Sequence, residues 1–340
     1  MQFDRRDVLR VMSGSALAAF ASTALPRTAL AQKTLRIAMV VKVLGIKYFD
    51  VSRDGGLDAA KEVGGVDLTY TGPTAATVED QISIINSLIA QHVDALIISA
   101  NDVNALIPTT KKAMQRGITV ISFDSGIAPA GRELQVNAPH DDLIGANDVR
   151  MISKTLGGSG EVAILSATSQ ATNQNIWIEK MKEEWKKPEY KDLKLVGIVY
   201  GDDAADKSYR EAEGLMKAHP NLRGIISPTA VGIVSAARAV TDAGKIGKIY
   251  VTGHGLPSQM KPYVLSGVTE TFQLWNPADL GYAAVILAAQ IARGEFKPKP
   301  GATEKVGRLG DMTVEADDSV YLKQLLVFDK SNIEKYATQF

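Results

Sequence analysis

Continuous apolar runs alternate with segments of helical period along almost the whole chain, and this alternation most strongly limits the possible folds. Runs such as LRIAMVV, VDALIISA and ITVISFD are apolar nearly throughout, whereas TVEDQISIINSLIAQ places its apolar residues at helical spacing. Strands that are buried on both faces and separated by helices are typical of a parallel sheet covered on both sides. The sequence therefore predicts an α/β fold.

The number of strand-like segments indicates two sheets rather than one. Roughly ten such segments occur, and most open sheets have fewer than about ten strands. The pattern restarts after the helical segment DLIGANDVRMISKTLG, so we expect two similar doubly wound, Rossmann-like lobes with a first crossing near Asn137. Residues 297–318 are rich in charge and proline and are interpreted as a loop, and VYLKQLLVFDKSNIEKY adds a strand and a short helix.

The first 31 residues have the three parts of an export signal in order. MQFDRRDVLRVM is basic, SGSALAAFASTAL is a short apolar stretch of small residues, and ALA at 29–31 has the form that precedes cleavage. We predict a signal peptide over residues 1–31 and a periplasmic protein that starts at Gln32. The paired Arg5 and Arg6 resemble a twin-arginine signal, with Sec export and a disordered N-terminus as the alternatives.

Charge and cysteine content exclude several classes of function. The 340 residues contain 38 basic and 38 acidic side chains and no cysteine. A neutral chain offers no basic field for nucleic acid, and a chain without cysteine forms no disulfide or thiolate zinc site. No HExxH, GxSxG or P-loop motif occurs in the predicted mature chain. We therefore expect no enzymatic activity, no metal and no cofactor.

Two polar segments could nevertheless suggest chemistry. His254 lies in GHG after a strand, which lacks the third glycine of a dinucleotide fingerprint. We interpret it as a turn residue, with a catalytic base as the second possibility. Asp202, Asp203 and Asp206 could suggest a metal site, but we interpret them as a solvated loop that caps the next helix.

Polar and aromatic side chains follow successive predicted strands. Because ligands of open parallel sheets bind beyond the carboxyl ends of the strands, these positions form a candidate ligand site. The candidates are Lys42, Phe49, Asp124, Asn173, Gln174, Pro228, Ala230, Trp275 and Asn276. Hydroxyl groups both donate and accept hydrogen bonds, so carboxylate, ammonium and amide groups together suit a small polyhydroxylated ligand. Aromatic rings can pack against the C–H face of a sugar.

Each candidate also has a purely structural interpretation. Lys42 could be a solvated strand end, Asp124 and Asn173 could be caps, and Trp275 could be ordinary core. Trp177 and Trp185 lie eight residues apart on a helix, and we assign both to core packing. The shared placement of the candidates after successive strands favours the ligand site.

The chain resembles the periplasmic sugar-binding proteins of ABC importers over its whole predicted mature length. The resemblance is to the rhamnose-binding proteins and the related autoinducer-2 receptors. The matching stretches are VVKVLGIKYF, YTGPTAATVEDQISIINSLIAQ, KKAMQRGITVISFDS, TNQNIW, GIISPTAVG, QMKPYVLSG, FQLWNPADLGY and VFDKSNIEKY.

The resemblance implies a type I periplasmic binding protein whose two lobes are joined by a hinge of three crossing segments. We expect an N-terminal lobe of residues 32–137 and 277–304 and a C-terminal lobe of residues 138–276 and 305–340. It also implies ligand contacts from Lys42, Asp124, Asn173–Gln174, Pro228 and Ala230. Asn173 stands where the autoinducer-2 receptors have aspartate, and TNQNIW and SPTAVGI resemble the rhamnose-binding branch.

The expected function is capture of a monosaccharide, with L-rhamnose as the first candidate, by a monomer that delivers it to a membrane ABC permease. Two alternatives remain open at this point. One is capture of autoinducer-2 by the same architecture. The other is the sensor core of a sugar-responsive transcription regulator, which would carry a helix-turn-helix where this chain has its signal-like segment.

Overall fold

The computed structural model describes residues 33–340, so the predicted signal peptide, residues 1–31, lies outside the described residues. The first half of the described chain alternates strands and helices as the sequence predicts. In chain order the elements are β1 (Leu35–Val40), α1 (Lys47–Val63), β2 (Val66–Thr71), α2 (Val78–Ala90), β3 (Ala95–Ile98), α3 (Ile107–Gln115), β4 (Thr119–Phe123) and β5 (Leu134–Asn137).

These strands form a parallel sheet in the order β5-β4-β3-β1-β2. Its central strands are covered on both faces, which explains their continuous apolar sequence. Met39 and Ile97 face a core shared with α1, whereas Val40 and Ile98 face a separate core shared with α2 and α3. The alternation along each strand therefore separates two apolar layers rather than an apolar layer and solvent.

The second half of the pattern builds another parallel sheet. Its elements are α4 (Asp141–Leu156), β6 (Gly160–Ser166), α5 (Thr172–Trp185), β7 (Leu193–Tyr200), α6 (Ala205–Ala218), β8 (Leu222–Ser227), α7 (Ala230–Asp242), β9 (Tyr250–Gly253), α8 (Pro257–Ser266) and β10 (Thr271–Leu274). Four of the strands pair in the order β7-β6-β8-β9, and a single backbone bridge between His254 and Gln273 joins β9 to β10.

The last segment of the chain contributes elements to both lobes. It contains α9 (Pro277–Ala292), β11 (Thr303–Lys305), β12 (Asp311–Thr313), β13 (Ser319–Tyr321), β14 (Leu326–Asp329) and α10 (Ile333–Tyr336). Helix α9 packs along α1 and against the first sheet, and β13 extends that sheet beside β5. Strand β14 pairs antiparallel with β10, which the bridge between His254 and Gln273 joins to the second sheet. The chain therefore passes between the sheets at residues 138–140, 275–277 and 322–325.

The expectation that residues 305–340 belong wholly to the C-terminal lobe is wrong at β13. Val320 pairs in parallel with Val136 of the first sheet, and the carbonyl oxygen of Asp318 accepts hydrogen bonds from the backbone N–H of Gln135 and the guanidinium of Arg132. These bonds satisfy the free edge of β5. The last crossing therefore follows Tyr321.

Residues 297–318 also contain more structure than the predicted loop. Strands β11 and β12 form a short antiparallel hairpin, with Glu304 opposite Met312. Gln290 of α9 donates to the Glu304 carboxylate over 2.9 Å, which ties the hairpin to the first lobe. Three-residue strands in a charged, proline-containing segment carry too little periodicity to be predicted from the sequence.

Helices α1 and α9 approach each other closely because glycines lie at their contact. A methyl group on Gly55 would overlap the carbonyl oxygen of Ala278, and one on Gly281 would overlap the carbonyl oxygen of Ser52. The absence of side chains at both positions lets the two backbones touch. This contact anchors α9, which begins directly after the second crossing, onto the first lobe. No helix within residues 33–340 is long and apolar enough to cross a membrane.

Candidate functional site

A cavity lies where the carboxyl ends of the strands of both sheets meet. Its walls carry residues from six strand ends and from the first turns of helices that follow strands. The lining residues are Lys42, Ile46, Tyr48, Phe49, Asp124, Asn173, Gln174, Trp177, Asp203, Pro228, Thr229, Ala230, His254, Leu274 and Trp275. Eight of the nine residues predicted from the sequence therefore lie together.

Lys42 occupies one side of this cavity, directly beyond β1. It is 5% exposed, and its Nζ atom lies 6.0 Å from the ring centroid of Phe49. The nearest carboxylate is that of Asp203, at 3.6 Å between Nζ and Oδ2, across the gap between the two lobes. A buried ammonium needs such a charged partner, because the desolvation of an unpaired charge is costly. For the predicted partner Asp124, burial raises the pKa of the carboxyl group, and the nearby Lys42 charge opposes that rise.

Asp203, which we interpreted as part of a solvated loop, lines the cavity. Its side chain is 5% exposed and follows β7 with φ +51°. The hydroxyl of Thr229 donates to Oδ1 of Asp203, so both carboxylate oxygens have partners on the cavity wall. It lies three residues beyond the end of β7, and a position shortly after a strand is the signal that identified Lys42 and Asp124.

Asp124 lies at the centre of the hydrogen-bonding network. It follows β4 with φ +57°, a backbone conformation that aspartate tolerates better than most residues. Its Oδ2 accepts from the hydroxyl of Ser99 over 2.8 Å, and its Oδ1 accepts from Tyr48 over 3.2 Å and from Nδ2 of Asn173 over 3.1 Å. Burial raises the pKa of Asp124, an effect that the Lys42 charge and these hydrogen bonds oppose.

Asn173 and Gln174 begin α5 in the second lobe. The Asn173 carboxamide joins the lobes, since its Nδ2 donates to Asp124 while its Oδ1 accepts from the backbone N–H of Gln174 over 2.9 Å. Oε1 of Gln174 accepts from the Ser166 hydroxyl over 2.7 Å and from the backbone N–H of Ala167 over 2.8 Å. The end of β6 therefore fixes this side chain on the cavity wall.

Aromatic rings form the floor of the cavity. Trp275 lies 6.1 Å from Tyr48 between ring centroids, and its Nε1 donates to the Tyr48 hydroxyl over 2.9 Å. Burial and the negative charge of Asp124 raise the pKa of Tyr48 well above its usual range, so this hydroxyl stays protonated. Trp177, which we assigned to core packing, is buried but also lines the cavity, with its ring centroid 5.5 Å from that of Trp275.

The segment Pro228–Thr229–Ala230 turns from β8 into α7. Thr229 is the N-cap of α7, and its hydroxyl accepts from the backbone N–H of Val231 over 3.3 Å. The cap presents the first turn of the helix to the cavity, where Ala230 lines the wall.

Asn276 does not line this cavity with the other predicted residues. It is the N-cap of α9: Oδ1 accepts from the backbone N–H of Ala278 over 3.0 Å, and Nδ2 donates to Asp279 over 2.9 Å. The side chain therefore points along the second crossing segment and lines a separate cavity with Asp279 and Arg308. Placement after a strand does not distinguish a cap from a ligand contact.

His254 also lines the cavity, whereas we interpreted it as a turn residue. It is 2% exposed, and its Nε2 lies 3.0 Å from Oδ2 of Asp148 on α4. No group of three or more His, Asp or Glu side chains within residues 33–340 is arranged to hold a metal ion. The cavity can therefore offer hydrogen-bond donors and acceptors, two carboxylates, one ammonium group and aromatic surface.

Comparison with known proteins identifies the class of protein that this fold and cavity define. The profile of the periplasmic binding protein domain matches residues 37–296, most of the chain. The chain belongs to this family of solute-binding proteins.

Three known proteins illustrate the similarity. The chain is 30% identical over 275 residues to the D-ribose/D-allose-binding protein of Pseudomonas aeruginosa, covering 76% of this chain and 84% of that protein. It is 35% identical to an ABC transporter solute binding protein from Clostridium phytofermentas with bound L-rhamnose, with a TM-score of 0.87 over 91% of this chain and 99% of that one. LsrB from Clostridium saccharobutylicum in complex with AI-2 is 22% identical with a TM-score of 0.84, covering 89% of this chain and 98% of that one, and shows the shared fold alone.

Proposed function

We propose that this protein is the periplasmic binding component of an ABC importer and holds a neutral monosaccharide, with L-rhamnose as the first candidate, in the cavity between its lobes. The observation that carries the proposal is the position of Asp124. This buried carboxylate lies at the cavity and is joined to the Asn173 carboxamide of the opposite lobe. A sugar that binds between these groups would contact both lobes.

The charges of the cavity favour a neutral ligand. Lys42 is balanced by Asp203, and Asp124 is surrounded by the donors Tyr48, Ser99 and Asn173. An added anion would lack a counterion in this buried setting, whereas a sugar hydroxyl can exchange hydrogen bonds with the groups already present. The Trp275 and Phe49 rings offer apolar surface for the C–H face and the methyl group of a 6-deoxyhexose.

Ligand binding would favour the closed arrangement of the lobes. Lys42, Tyr48 and Asp124 belong to the first lobe, and their partners Asp203, Trp275 and Asn173 belong to the second. A ligand that bonds to both walls has higher affinity for the closed form and shifts the population toward it. Rotation would take place at the three crossing segments, which we propose as the hinge. Micromolar affinity requires about 8 kcal/mol, within reach of a few charge-assisted hydrogen bonds of roughly 1.5–3 kcal/mol each.

Two observations support L-rhamnose over the alternatives. The 35% identical relative was solved with that sugar bound, and Asn173 replaces the aspartate expected of an autoinducer-2 receptor. We further propose that residues 1–31 direct export to the periplasm and that the protein acts as a monomer with a membrane permease.

The proposal is tested by calorimetric titration of the mature protein with L-rhamnose, D-ribose, D-allose and autoinducer-2. We expect micromolar or tighter binding of L-rhamnose and weaker binding of the other three. Preferential binding of D-ribose or D-allose would reassign the sugar, and the absence of heat with all four ligands would refute the proposed function.

A matched pair of substitutions tests the place of binding. Asn173→Asp puts a second carboxylate beside Asp124 and should weaken L-rhamnose binding by roughly 1–3 kcal/mol, because like charges at this distance oppose each other. Asn175→Asp adds the same charge to the same helix, but its side chain bonds to the backbone of Ser169 outside the cavity. The control should bind as wild type. Equal affinities in the two variants would place the sugar elsewhere.

A further inference from the structure

His254 lies on the cavity wall immediately after β9, in contact with the aromatic floor. Its ring centroid is 4.9 Å from that of Trp177 and 5.8 Å from that of Trp275, and the residue is 2% exposed. A buried imidazole has two ring nitrogens that both require partners. In His254 the two nitrogens have very different surroundings.

The Nε2 atom is fixed by a buried network behind the cavity wall. It lies 3.0 Å from Oδ2 of Asp148, whose side chain is fully buried. Nε2 of Gln273 donates to the other Asp148 oxygen over 2.8 Å and to the backbone oxygen of Ile144 over 2.9 Å. The Gln273 amide oxygen in turn accepts from Asn147 over 2.7 Å.

This network determines the tautomer of the imidazole. A carboxylate only accepts hydrogen bonds, so Nε2 of His254 must carry the proton that it donates to Asp148. Both hydrogens of the Gln273 amide are already used, so Gln273 does not compete for Nε2. In the neutral ring the lone pair is then on Nδ1.

The Nδ1 atom of His254 is buried and has no hydrogen-bond partner among residues 33–340. An unsatisfied buried acceptor is unfavourable, and native proteins rarely keep one without a reason. Here the rest of the side chain is fully bonded, and the unsatisfied atom belongs to a residue that lines the cavity. A ligand hydroxyl is the partner that would satisfy it.

We propose that Nδ1 of His254 accepts a hydrogen bond from one hydroxyl of the bound sugar and thereby helps to select the ligand, an inference that rests on the proposed function. Asp148 and Gln273 are positioning residues, since they hold the imidazole in the tautomer that makes Nδ1 an acceptor. A site built to bond a hydroxyl rejects an analogue that lacks it, because the buried acceptor is then left unpaired.

Two substitutions separate the nitrogens. In His254→Gln the side-chain amide can still donate to Asp148, but no polar atom remains at the Nδ1 position. In His254→Asn the amide lies near the Nδ1 position, but the bond to Asp148 is lost. We expect His254→Gln to bind the sugar about ten- to a hundredfold more weakly with an unchanged melting temperature, whereas His254→Asn should keep more of the affinity and lose stability.

A series of deoxy sugars, each lacking one hydroxyl of the sugar that the wild type binds, identifies the hydroxyl. One deoxy sugar should bind wild type more weakly than the parent sugar, but bind His254→Gln as well as the parent does. If wild type binds no sugar, the proposed function fails. If wild type binds and His254→Gln shows the same affinity and the same deoxy-sugar profile, the role of His254 is refuted and the proposed function stands.

If neither variant folds, the proposal can be tested on the wild-type protein by ¹⁵N NMR. The ¹⁵N resonances of His254 should show a protonated Nε2 and an unprotonated Nδ1, and the Nδ1 resonance should shift when the sugar is added. A protonated Nδ1 in the free protein, or a Nδ1 resonance that does not respond to saturating sugar, would overturn the proposal. A structural imidazole would hold its Nε2 proton but would show no response at Nδ1.

Discussion

Replacing Asp124 by alanine perturbs the proposed site most severely. The carboxylate accepts three hydrogen bonds, from Ser99 at 2.8 Å, Asn173 at 3.1 Å and Tyr48 at 3.2 Å. Asp124→Ala removes every acceptor at once, while Asp203 stays within 4 Å of the Lys42 ammonium. Alanine at φ +57° also adds backbone strain of about 1–2 kcal/mol.

The expected loss of binding free energy follows from the chemistry of a buried charged acceptor. Truncating one partner of a buried, charge-assisted hydrogen bond typically costs about 2–5 kcal/mol, which corresponds to a roughly 30- to 5,000-fold weaker Kd. Asp124→Asn is the matched control, because it keeps the shape and tolerates the same backbone conformation while removing the charge. It should lose about 1–3 kcal/mol, the difference expected when bonds to a charged group become neutral ones.

Calorimetry of wild type, Asp124→Asn and Asp124→Ala with L-rhamnose gives the three affinities, and melting curves without sugar show that each variant is folded. The expected order of affinity is wild type, then asparagine, then alanine. A folded Asp124→Ala variant with wild-type affinity would refute the assignment of Asp124 and the reasoning that places the sugar beside it.

Two further predictions concern stability. Burial raises the pKa of Asp124 above its ordinary 3.8, so the stability that the protonated carboxyl group contributes is complete below that value and is lost as the pH rises through the raised pKa. The melting temperature of Asp124→Asn should therefore rise relative to that of unliganded wild type as the pH increases above about 4. A constant difference across that range would contradict the raised pKa. Gly281→Ala would force a methyl group onto a backbone carbonyl of α1 and should destabilise the protein by about 1–3 kcal/mol. The control Gly214→Ala on α6 places its methyl group in open space and should be neutral or slightly stabilising. Equal melting temperatures of the two variants would refute the close contact of α1 and α9.

Much of the fold follows from local pattern. Runs such as those of β3 and β4 are buried throughout and almost entirely apolar because helices cover both faces, and this signal is visible in a single sequence. The allocation of β13 could not be predicted, because Ser319–Tyr321 is three residues long and pairs with a strand about 180 positions earlier. It joins the first sheet by pairing with the edge strand β5, a long-range contact that no local sequence pattern indicates.

The candidate site was predictable where a polar residue directly follows a strand. Lys42, Asp124 and Trp275 lie in the cavity for that reason. Asp203 follows β7 in the same way, but its neighbours Asp202 and Asp206 are exposed, and composition alone does not separate one buried aspartate from a solvated loop. Asn276 is the reverse case, because an asparagine before a proline-initiated helix is a cap by its local chemistry.

The aromatic residues and the histidine that line the cavity were harder to recognise from the sequence. Tyr48 and Trp177 lie on helices, where an aromatic residue is equally consistent with core packing, and both are in fact buried. Their role at the cavity depends on how the two lobes meet. The proposed role of His254 depends on its contacts with Asp148 and Gln273, which are distant in sequence and are brought to it by the packing of α4 and β10.

A crystal structure of the mature protein grown with L-rhamnose would test the central proposal most directly. We predict one sugar ring between the two lobes, with hydroxyl groups bonded to Asp124 from the first lobe and to Asn173 or Gln174 from the second. A sugar bound outside this cavity, or a cavity with no sugar at saturating concentration, would contradict the account.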